Sequence, residues 1–371
     1  CVINVPSSTN LSDYKYGVIA AFKTKIDSAV KADFLTIKNT TIKNGVSGIQ
    51  FIGQSGAFKS IGTVIYNNKI DSAFGFGINT LNTSINSISW NTINMKSTSS
   101  VSSEGIKVAS SKSDGIINGN KISKAGFRGI NLTTVEGVTA LTVSNNMIAG
   151  GFKTLVSGAG IYLNEVNKIN IYHNSVYYDK APITLPSTSS AFFLAAGVNI
   201  SLLNNIFYNP AGGYAFYVTN QTSIRASDNN IYYTDNNTTT GNFAYYGSSG
   251  GDRANLTSLK QAMINFETKS LEIDPQFTSV YNLHTANPLI DNKESKKRYR
   301  VDHLIEGHAD ALIAKGNTTA AEKLLADMDA LLAKEDFEGL KKLIEDNKIS
   351  CSVSGTSNWT EIRQFNLMFS T

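Results

Sequence analysis

Gly129–Ile148 reads GINLTTVEGVTALTVSNNMI. It opens on a glycine followed by alternating apolar residues, Ile130 and Leu132. It continues through a second alternating run, Leu141-Thr142-Val143, and closes on Asn146-Met147-Ile148. Alternation with period two marks short half-buried strands, not helix. The closing element, Asn then any residue then an apolar β-former, recurs along the chain. It appears as Asn68-Lys69-Ile70, Asn91-Thr92-Ile93, Asn120-Lys121-Ile122, Asn174-Ser175-Val176, Asn205-Ile206-Phe207 and Asn230-Ile231-Tyr232. Thr40-Thr41-Ile42 is an earlier copy with Thr in the Asn place. From position 40 onward the spacings are 28, 23, 29, 26, 28, 31 and 25. A period in the twenties that drifts by a few residues fits stacked coils with loops of variable length.

The opening element recurs as well: Gly48-Ile49-Gln50-Phe51, Gly77-Ile78, Gly105-Ile106-Lys107-Val108 and Gly160-Ile161-Tyr162-Leu163. Each unit therefore holds two or three strands too short to stand alone. Stacked on the next unit they form parallel sheets, with equal positions about 4.8 Å apart. About eight coils give a rod roughly 35–40 Å long. The Asn places predict a turn residue that tolerates positive φ and bonds backbone groups. Asn stacked on Asn predicts a ladder of side-chain bonds along the rod.

The repeated Gly-Ile-x-apolar and Asn-x-Ile elements resemble the right-handed parallel β-helix family, the pectate-lyase-like architecture, over residues 34–277. A narrower likeness covers Asn229-Asn230-Ile231-Tyr232-Tyr233, Leu256-Thr257-Ser258-Leu259, Ile273-Asp274-Pro275-Gln276-Phe277, Asn282-Leu283-His284 and Pro288-Leu289-Ile290-Asp291. In that order they look like the closing segment of secreted β-helix domains in Bacteroidetes-type surface proteins. This resemblance implies an exported protein, extracellular or at the cell surface, and an adhesin or polysaccharide-handling role.

Residues 1–33 read as an N-terminal cap or first irregular coil, with Val18-Ile19-Ala20-Ala21-Phe22 inside it, and 34–292 as the parallel β-helix. A solenoid needs its ends covered, because open edge strands recruit other chains. From Lys293 to Lys348 the composition changes: 23 of 56 residues are charged, against 39 of the other 315. Helical periodicity replaces alternation there. Val301, Leu304, Ile305, His308, Ala309, Leu312 and Ile313 share one face, and Lys315-Gly316 closes that helix. Thr319-Ala320-Ala321-Glu322 reads as a capping box for a second helix. Asp336 reads as the cap of a third, carrying Phe337, Leu340, Leu343 and Ile344. The 293–348 module is a cap, an insertion or a fusion. The 349–371 tail, with Trp359, Ile362, Phe365, Leu367 and Phe369, reads as a further strand resuming the solenoid.

Across 371 residues only 17% are charged, with a net charge of +4 and no concentrated basic face, which argues against nucleic acid as a partner. Apolar runs are too short for a transmembrane segment. Thirty-nine residues are Asn, in line with a ladder. Two Cys exclude a disulfide scaffold and a multi-Cys zinc site. Cys1 reads as a boundary residue, a lipidated first residue or a partner of Cys351. Asp27-Ser28-Ala29 and Asp71-Ser72-Ala73 resemble an O-glycosylation triplet of Bacteroidetes.

The acids Asp71, Glu104, Asp114, Glu136, Glu165, Asp179 and Asp228 are scattered, whereas a calcium site needs clustered carboxylates and a glycosidase needs a close pair. His173 is the lone His of the coils, and His303 and His308 are five apart, off the spacing of a helical metal pair. No catalytic residue, metal or other cofactor is expected. Three residues after the motif Asn stand Asp71, Asn94, Ser123 and Ala149, then Tyr177, Tyr208 and Tyr233. Equal places stack, so these tyrosines predict a row on one side, the candidate ligand-binding face. Tyr178, Phe192, Phe193, Tyr214, Phe216, Tyr217, Tyr245 and Tyr246 enlarge the aromatic zone. A row of rings suits sugar faces; loops folded over it as local core is the plainer alternative. The reading is a non-catalytic surface β-helix for adhesion, carbohydrate binding or extracellular assembly, with glycans or a larger surface assembly as partners. Two alternatives stand beside it. One is a polysaccharide lyase or hydrolase whose acids, with Arg128 or Arg225, converge from separate coils. The other is a self-associating subunit of a fibre or spike.

Overall fold

The structure is a computed structural model. It describes residues 1–4, 17–21, 31–56, 59–96, 102–152, 158–178, 189–210, 212–235, 243–247, 251–279, 282–285, 288–332 and 336–364. The chain divides into two compact units, Cys1–Pro275 and Gln276–Thr371. The first is the expected all-β parallel solenoid, and it ends earlier than residue 292.

The chain circles three faces. The first is a ten-stranded sheet that starts at Val2–Asn4, continues through Thr41–Lys43 and Lys69–Ala73, and ends at Leu271–Glu272. The second runs through Ser47–Ile52, Phe76–Leu81 and equivalent strands to Ala244–Tyr246, the third from Thr36–Lys38 to Ile224–Asp228. The 17-residue strand Arg128–Ser144 bends from the second face onto the third and joins them into one sheet. Pairing between successive coils is parallel and in register: Thr92 beside Lys121, Ile93 beside Ile122, Asn94 beside Ser123. Complete turns number about six, slightly fewer than the expected eight. At the C-terminal end Asp252–Arg253 turns back antiparallel and a short helix α1, Leu256–Ala262, follows. At the other end Gly17–Ala21 pairs with Ser47–Ile52, while 5–16 and 22–30, with Asp27-Ser28-Ala29, lie outside the described residues.

Inside, isoleucines stack on isoleucines: Ile42, Ile70, Ile93, Ile122 and Ile148 form one buried column. Toward the C-terminal half the core turns aromatic, with Phe192, Phe207, Phe216 and Tyr232 packed at 5.4–5.9 Å between centroids. At each corner glycine, neighbouring coils come close. A Cβ on Gly105 would sit 2.4 Å from Ile122 Cγ2 and 2.6 Å from the carbonyl of Gly129.

The ladder is present. Asn68, Asn91, Asn120, Asn146, Asn174, Asn205 and Asn230 are buried. Each of the first six donates its amide to the next Oδ1 at 2.9–3.0 Å, and its backbone N–H goes to the same oxygen. One expectation is corrected here. The ladder asparagines do not have positive φ. The residue before each does: Asn67, Trp90, Gly119, Asn145, His173, Asn204 and Asn229, at +51° to +67°. The ladder residue keeps ordinary backbone because both ends of its side chain are engaged, so the preceding residue makes the turn.

The second unit has its own core: Ile290, Val301, Ile305, Ala309, Ala321, Leu324, Met328, Leu340, Ile344, Ile349 and Trp359. Helix α2 spans Val301–Ala314 and ends at Gly316, which has φ +83°, as expected. Its buried face is narrower than expected, and Ile313 is exposed. Helix α3 spans Thr318–Leu332, so Thr319 lies inside it and the cap position falls on Asn317. Helix α4, Phe337–Asp346, is capped by the Asp336 side chain on the Gly339 N–H. The tail does not resume the solenoid. Arg363–Gln364 pairs antiparallel with Pro288–Asp291, and Trp359 bridges to Asn292. Phe365, Leu367 and Phe369 lie outside the described residues.

Candidate functional site

Register decides which side chains meet. On the first face one outward column runs Asp71, Asn94, Ser123, Ala149, Tyr177, Tyr208, Tyr233. Its lower part is a polar chain: Asn94 Nδ2 donates to Asp71 Oδ1 at 2.9 Å, and Ser123 Oγ to Asn94 Oδ1 at 3.1 Å. Its upper part is the expected tyrosine row. Ring centroids lie 4.8 Å apart for Tyr177–Tyr208 and 4.9 Å for Tyr208–Tyr233, and all three residues are half-buried. Burial, then the negative fields of Asp274 and Asp235, raise the Tyr208 hydroxyl above its usual range. The Tyr208 hydroxyl is therefore neutral. Rings this close cover one another's faces, so along the row a ligand meets edges and hydroxyls.

The other aromatics separate into two groups. Tyr178, Phe192, Phe216 and Tyr246 are core. Phe193, Tyr217 and Tyr245 join Tyr162 in a second outward row, on the second face, at 5.4, 4.4 and 4.4 Å between centroids. Tyr214 lies beside it, with its hydroxyl 2.8 Å from Asp252 Oδ1.

Below this second row a buried carboxylate, Glu104, meets two basic side chains. Glu104 and Arg128 occupy one column on adjacent rungs, 3.7 Å apart. Lys107 Nζ is also 3.7 Å from Glu104, and Asn131 Nδ2 donates to Glu104 Oε1 at 2.8 Å. The Arg128 guanidinium lies 3.3 Å over Tyr162 and 4.2 Å over Phe127. Burial raises the Glu104 carboxyl despite Lys107, Arg128 and Asn131, and burial lowers Arg128.

The remaining acids serve the rod separately. Asp114 accepts the N–H groups of Thr139 and Ala140, Glu136 pairs with Lys112 at 3.1 Å, and Glu165 accepts from Thr134. Asp228 accepts from Asn229, Thr268 and Lys269. Asp179 lies outside the described residues. Arg225 donates to Ser201 and Asn170 and meets no carboxylate in those bonds. His173 is one of the positive-φ turn residues, and burial lowers its imidazole. Among the described residues no three His, Cys, Asp or Glu side chains group as metal ligands. Both cysteines are free, Cys1 exposed and Cys351 buried, so the pairing reading is not realised.

One buried acid escaped the sequence reading. Glu267 is fully buried at the top of the asparagine ladder and accepts from Ser227, Ser270, Tyr232 and Asn230. Burial raises its carboxyl despite these four donors. Ser270 Oγ accepts the Asn230 N–H at 2.8 Å and so takes the place of the next ladder residue. Glu267 lies outside any repeat, so periodicity carried no signal for it. In the second unit a cavity of about 230 Å³ is lined by Asp291, Asn292, Lys293, Lys296, Arg298 and Thr360, with Arg298 engaged by Asp291 at 2.7 Å.

Comparison with known proteins separates the same two parts. The family described as right handed beta helix region matches residues 17–193. The family described as glycyl-tRNA synthetase insertion domain 1 matches residues 287–327 and 315–367. Among curated relatives, the glycine–tRNA ligases of Staphylococcus aureus strains JH9 and Newman are 51% identical over 85 residues, 23% of this chain. The match spans 16% of the length of those ligases. No solved structure matches.

Proposed function

We propose, from the premise that the rod of this chain is a right-handed parallel β-helix, that the protein is an extracellular or cell-surface binding protein for glycans, without catalysis of its own. The observation that carries this reading is the row Tyr177, Tyr208, Tyr233. Tyrosine rings repeat there at 4.8–4.9 Å between centroids, and Asp274 and Asp235 act on Tyr208. A row of half-buried tyrosines with acidic groups acting on its middle member suits a polyhydroxylated chain lying along the row. Binding along the row is through ring edges and hydroxyls, and stacking on a sugar face is confined to the ends of the row.

A lyase or hydrolase reading draws on the Glu104–Arg128 approach. A glycosidase needs a second carboxylate a few ångströms away, and the groups acting on Glu104 are Lys107, Arg128 and Asn131. Binding is therefore the stronger reading. For the second unit, the likeness to a ligase insertion domain supports an accessory module joined to the rod.

The test is a glycan array read with the native chain and with Tyr208→Ala, folding checked by circular dichroism. Loss of the bound glycan in a folded variant supports the row as contact face. Unchanged binding removes it.

A further inference from the structure

We propose that the outer side of the third face, at its first four coils, is a platform for a flat glycan whose sugar rings stack on Trp90 and Phe34. The proposal shares the glycan class with the reading above and rests on different residues.

Two outward columns make up this surface over four successive rungs. One runs Thr36, Val64, Ser87, Ile116, and the other Lys38, Tyr66, Ser89, Asn118. Phe34 stands at one corner, with its N–H bonded to the Ile61 carbonyl at 2.7 Å. Trp90 stands at the other corner, directly after Ser89. Phe34, Ile61, Tyr66, Trp90 and Ile116 are all exposed, so a ligand laid on this side reaches them.

Both corner rings sit on an uncommon backbone. Phe34 has φ +56° and Trp90 φ +59°, and among the described residues they are the only Phe, Tyr or Trp in the left-handed region. At the Trp90 corner five other coils place Asn: Asn39, Asn67, Asn145, Asn204 and Asn229. Asn tolerates that conformation, and a bulky side chain there is an outlier. Outliers of this kind gather at ligand sites. Each ring also lies against a glycine of the next coil. A Cβ on Gly62 would sit 2.5 Å from Phe34 Cδ1, and one on Gly119 would sit 2.9 Å from Trp90 Cδ2. Cδ2 is a ring-fusion atom with no free edge, so Gly119 meets the face of the indole. Trp90 is nonetheless 53% exposed and Phe34 71%. The open surface of Trp90 is therefore its opposite face, held outward by a ring seated on backbone.

Size and charge select the occupant. Four rungs and five residues across give about 14 by 17 Å, or roughly 240 Å². A stable protein partner, a second copy included, needs about 800 Å² on each side. Of the eight residues in the two columns only Lys38 is charged, which leaves a phosphate backbone without counter-charge. The C–H face of a pyranose stacks on an aromatic face, and the exposed residues Thr36 and Tyr66 carry hydroxyls for its rim. Two rings on one flat sheet suit an extended, equatorially linked chain better than a coiled, axially linked one.

Acrylamide quenching of tryptophan fluorescence tests this on the native chain, whose second tryptophan, Trp359, is buried. Cellohexaose, xylohexaose and chitohexaose are the probes, with maltohexaose as the coiled control. At least one flat hexasaccharide should protect Trp90 from the quencher, and should do so equally in Tyr208→Ala. In titration calorimetry Trp90→Asn, which restores the residue of five other coils, should weaken that sugar about tenfold or more, the loss of one aromatic platform. If Trp90→Asn does not fold, Phe34→Ala takes its place. The proposal is overturned if no flat hexasaccharide protects Trp90, if maltohexaose alone does, or if the substituted chain binds unchanged. It is also overturned if Trp90 becomes protected with rising protein concentration and no sugar, which would give the patch to a second copy. Sugar binding that is lost in Tyr208→Ala and leaves Trp90 unprotected in the native chain would keep the tyrosine row and remove the platform. Binding lost only in Trp90→Asn would retire the row and keep the platform.

Discussion

Asn120 and Asn146 are twenty-six residues apart in sequence, yet the amide of one lies 2.9 Å from the side-chain oxygen of the other. The same Asn120 amide reaches the Ile88 carbonyl at 2.8 Å. Its Oδ1 accepts both the backbone and the side-chain N–H of Asn91. One buried side chain thus ties three coils together.

Asn120→Ala is expected to cost about 3 kcal/mol, because several buried donors and acceptors lose their partners at about 1–3 kcal/mol for a group. The exposed Thr92→Ala on the neighbouring strand is expected to change stability by less than about 0.5 kcal/mol. Urea denaturation followed by far-ultraviolet circular dichroism checks both. Equal effects would show that the ladder does not hold the coils.

Gly105→Ala places a methyl group against Ile122 and the Gly129 carbonyl. Overpacking of this kind costs about 1–3 kcal/mol. A lowered melting temperature is expected, and an unchanged one would mean that the corner has slack.

Glu267 predicts a pH dependence with a definite sign. Its folded-state value is raised by burial above an ordinary carboxyl, near 4.3 when unfolded. The folded chain therefore holds the proton more tightly. Its contribution to stability is fully present below the unfolded value and is lost as pH rises through the raised one. Glu267→Gln should remove this slope. Denaturant midpoints for both proteins across pH 4 to 8 check it, and parallel curves would refute the assignment.

Cys351 carries the opposite sign. Burial alone would raise its thiol, but Ser295, Ser354 and Tyr299 bring it down to about 6. The Tyr299 hydroxyl is 3.1 Å and the Ser295 hydroxyl 3.3 Å from Sγ. An unfolded thiol titrates near 8.5. The contribution to stability is thus complete above that value and lost as pH falls through about 6. In a Cys1→Ser background, thiolate absorbance at 240 nm should rise with a midpoint near 6. A midpoint of 8.5 or above would show that the donors do not act.

The repeat made the rod legible because each coil repeats the same physical problem: a buried apolar position, a corner without room for a side chain, and a turn to be tied down. Asn68 to Asn230 and Tyr177, Tyr208 and Tyr233 followed from spacing alone. The cluster around Glu104 did not. It forms because the chain turns at Gly48 and its equivalents, which brings residues three apart together, as Ser47 with Gln50 and Glu104 with Lys107 show. Strict alternation would place Ser47 inside with Ile49. Glu267 was invisible for another reason: it ends the ladder and so has no counterpart in other coils. The tail around Trp359 has strand composition, but its partner, Pro288–Asp291, precedes the helices, and alternation cannot name a partner.

The most direct test of the stacked register is disulfide trapping on the first face, with Cys1 and Cys351 replaced by Ser. Lys69, Thr92 and Lys121 are exposed neighbours on three successive rungs. One rung is about 4.8 Å, within reach of a disulfide, and two rungs are about 9.6 Å, beyond it. Under mild oxidation, Thr92→Cys with Lys121→Cys should cross-link and Lys69→Cys with Lys121→Cys should not; the reverse, or equal yields, would contradict the register on which the tyrosine row depends.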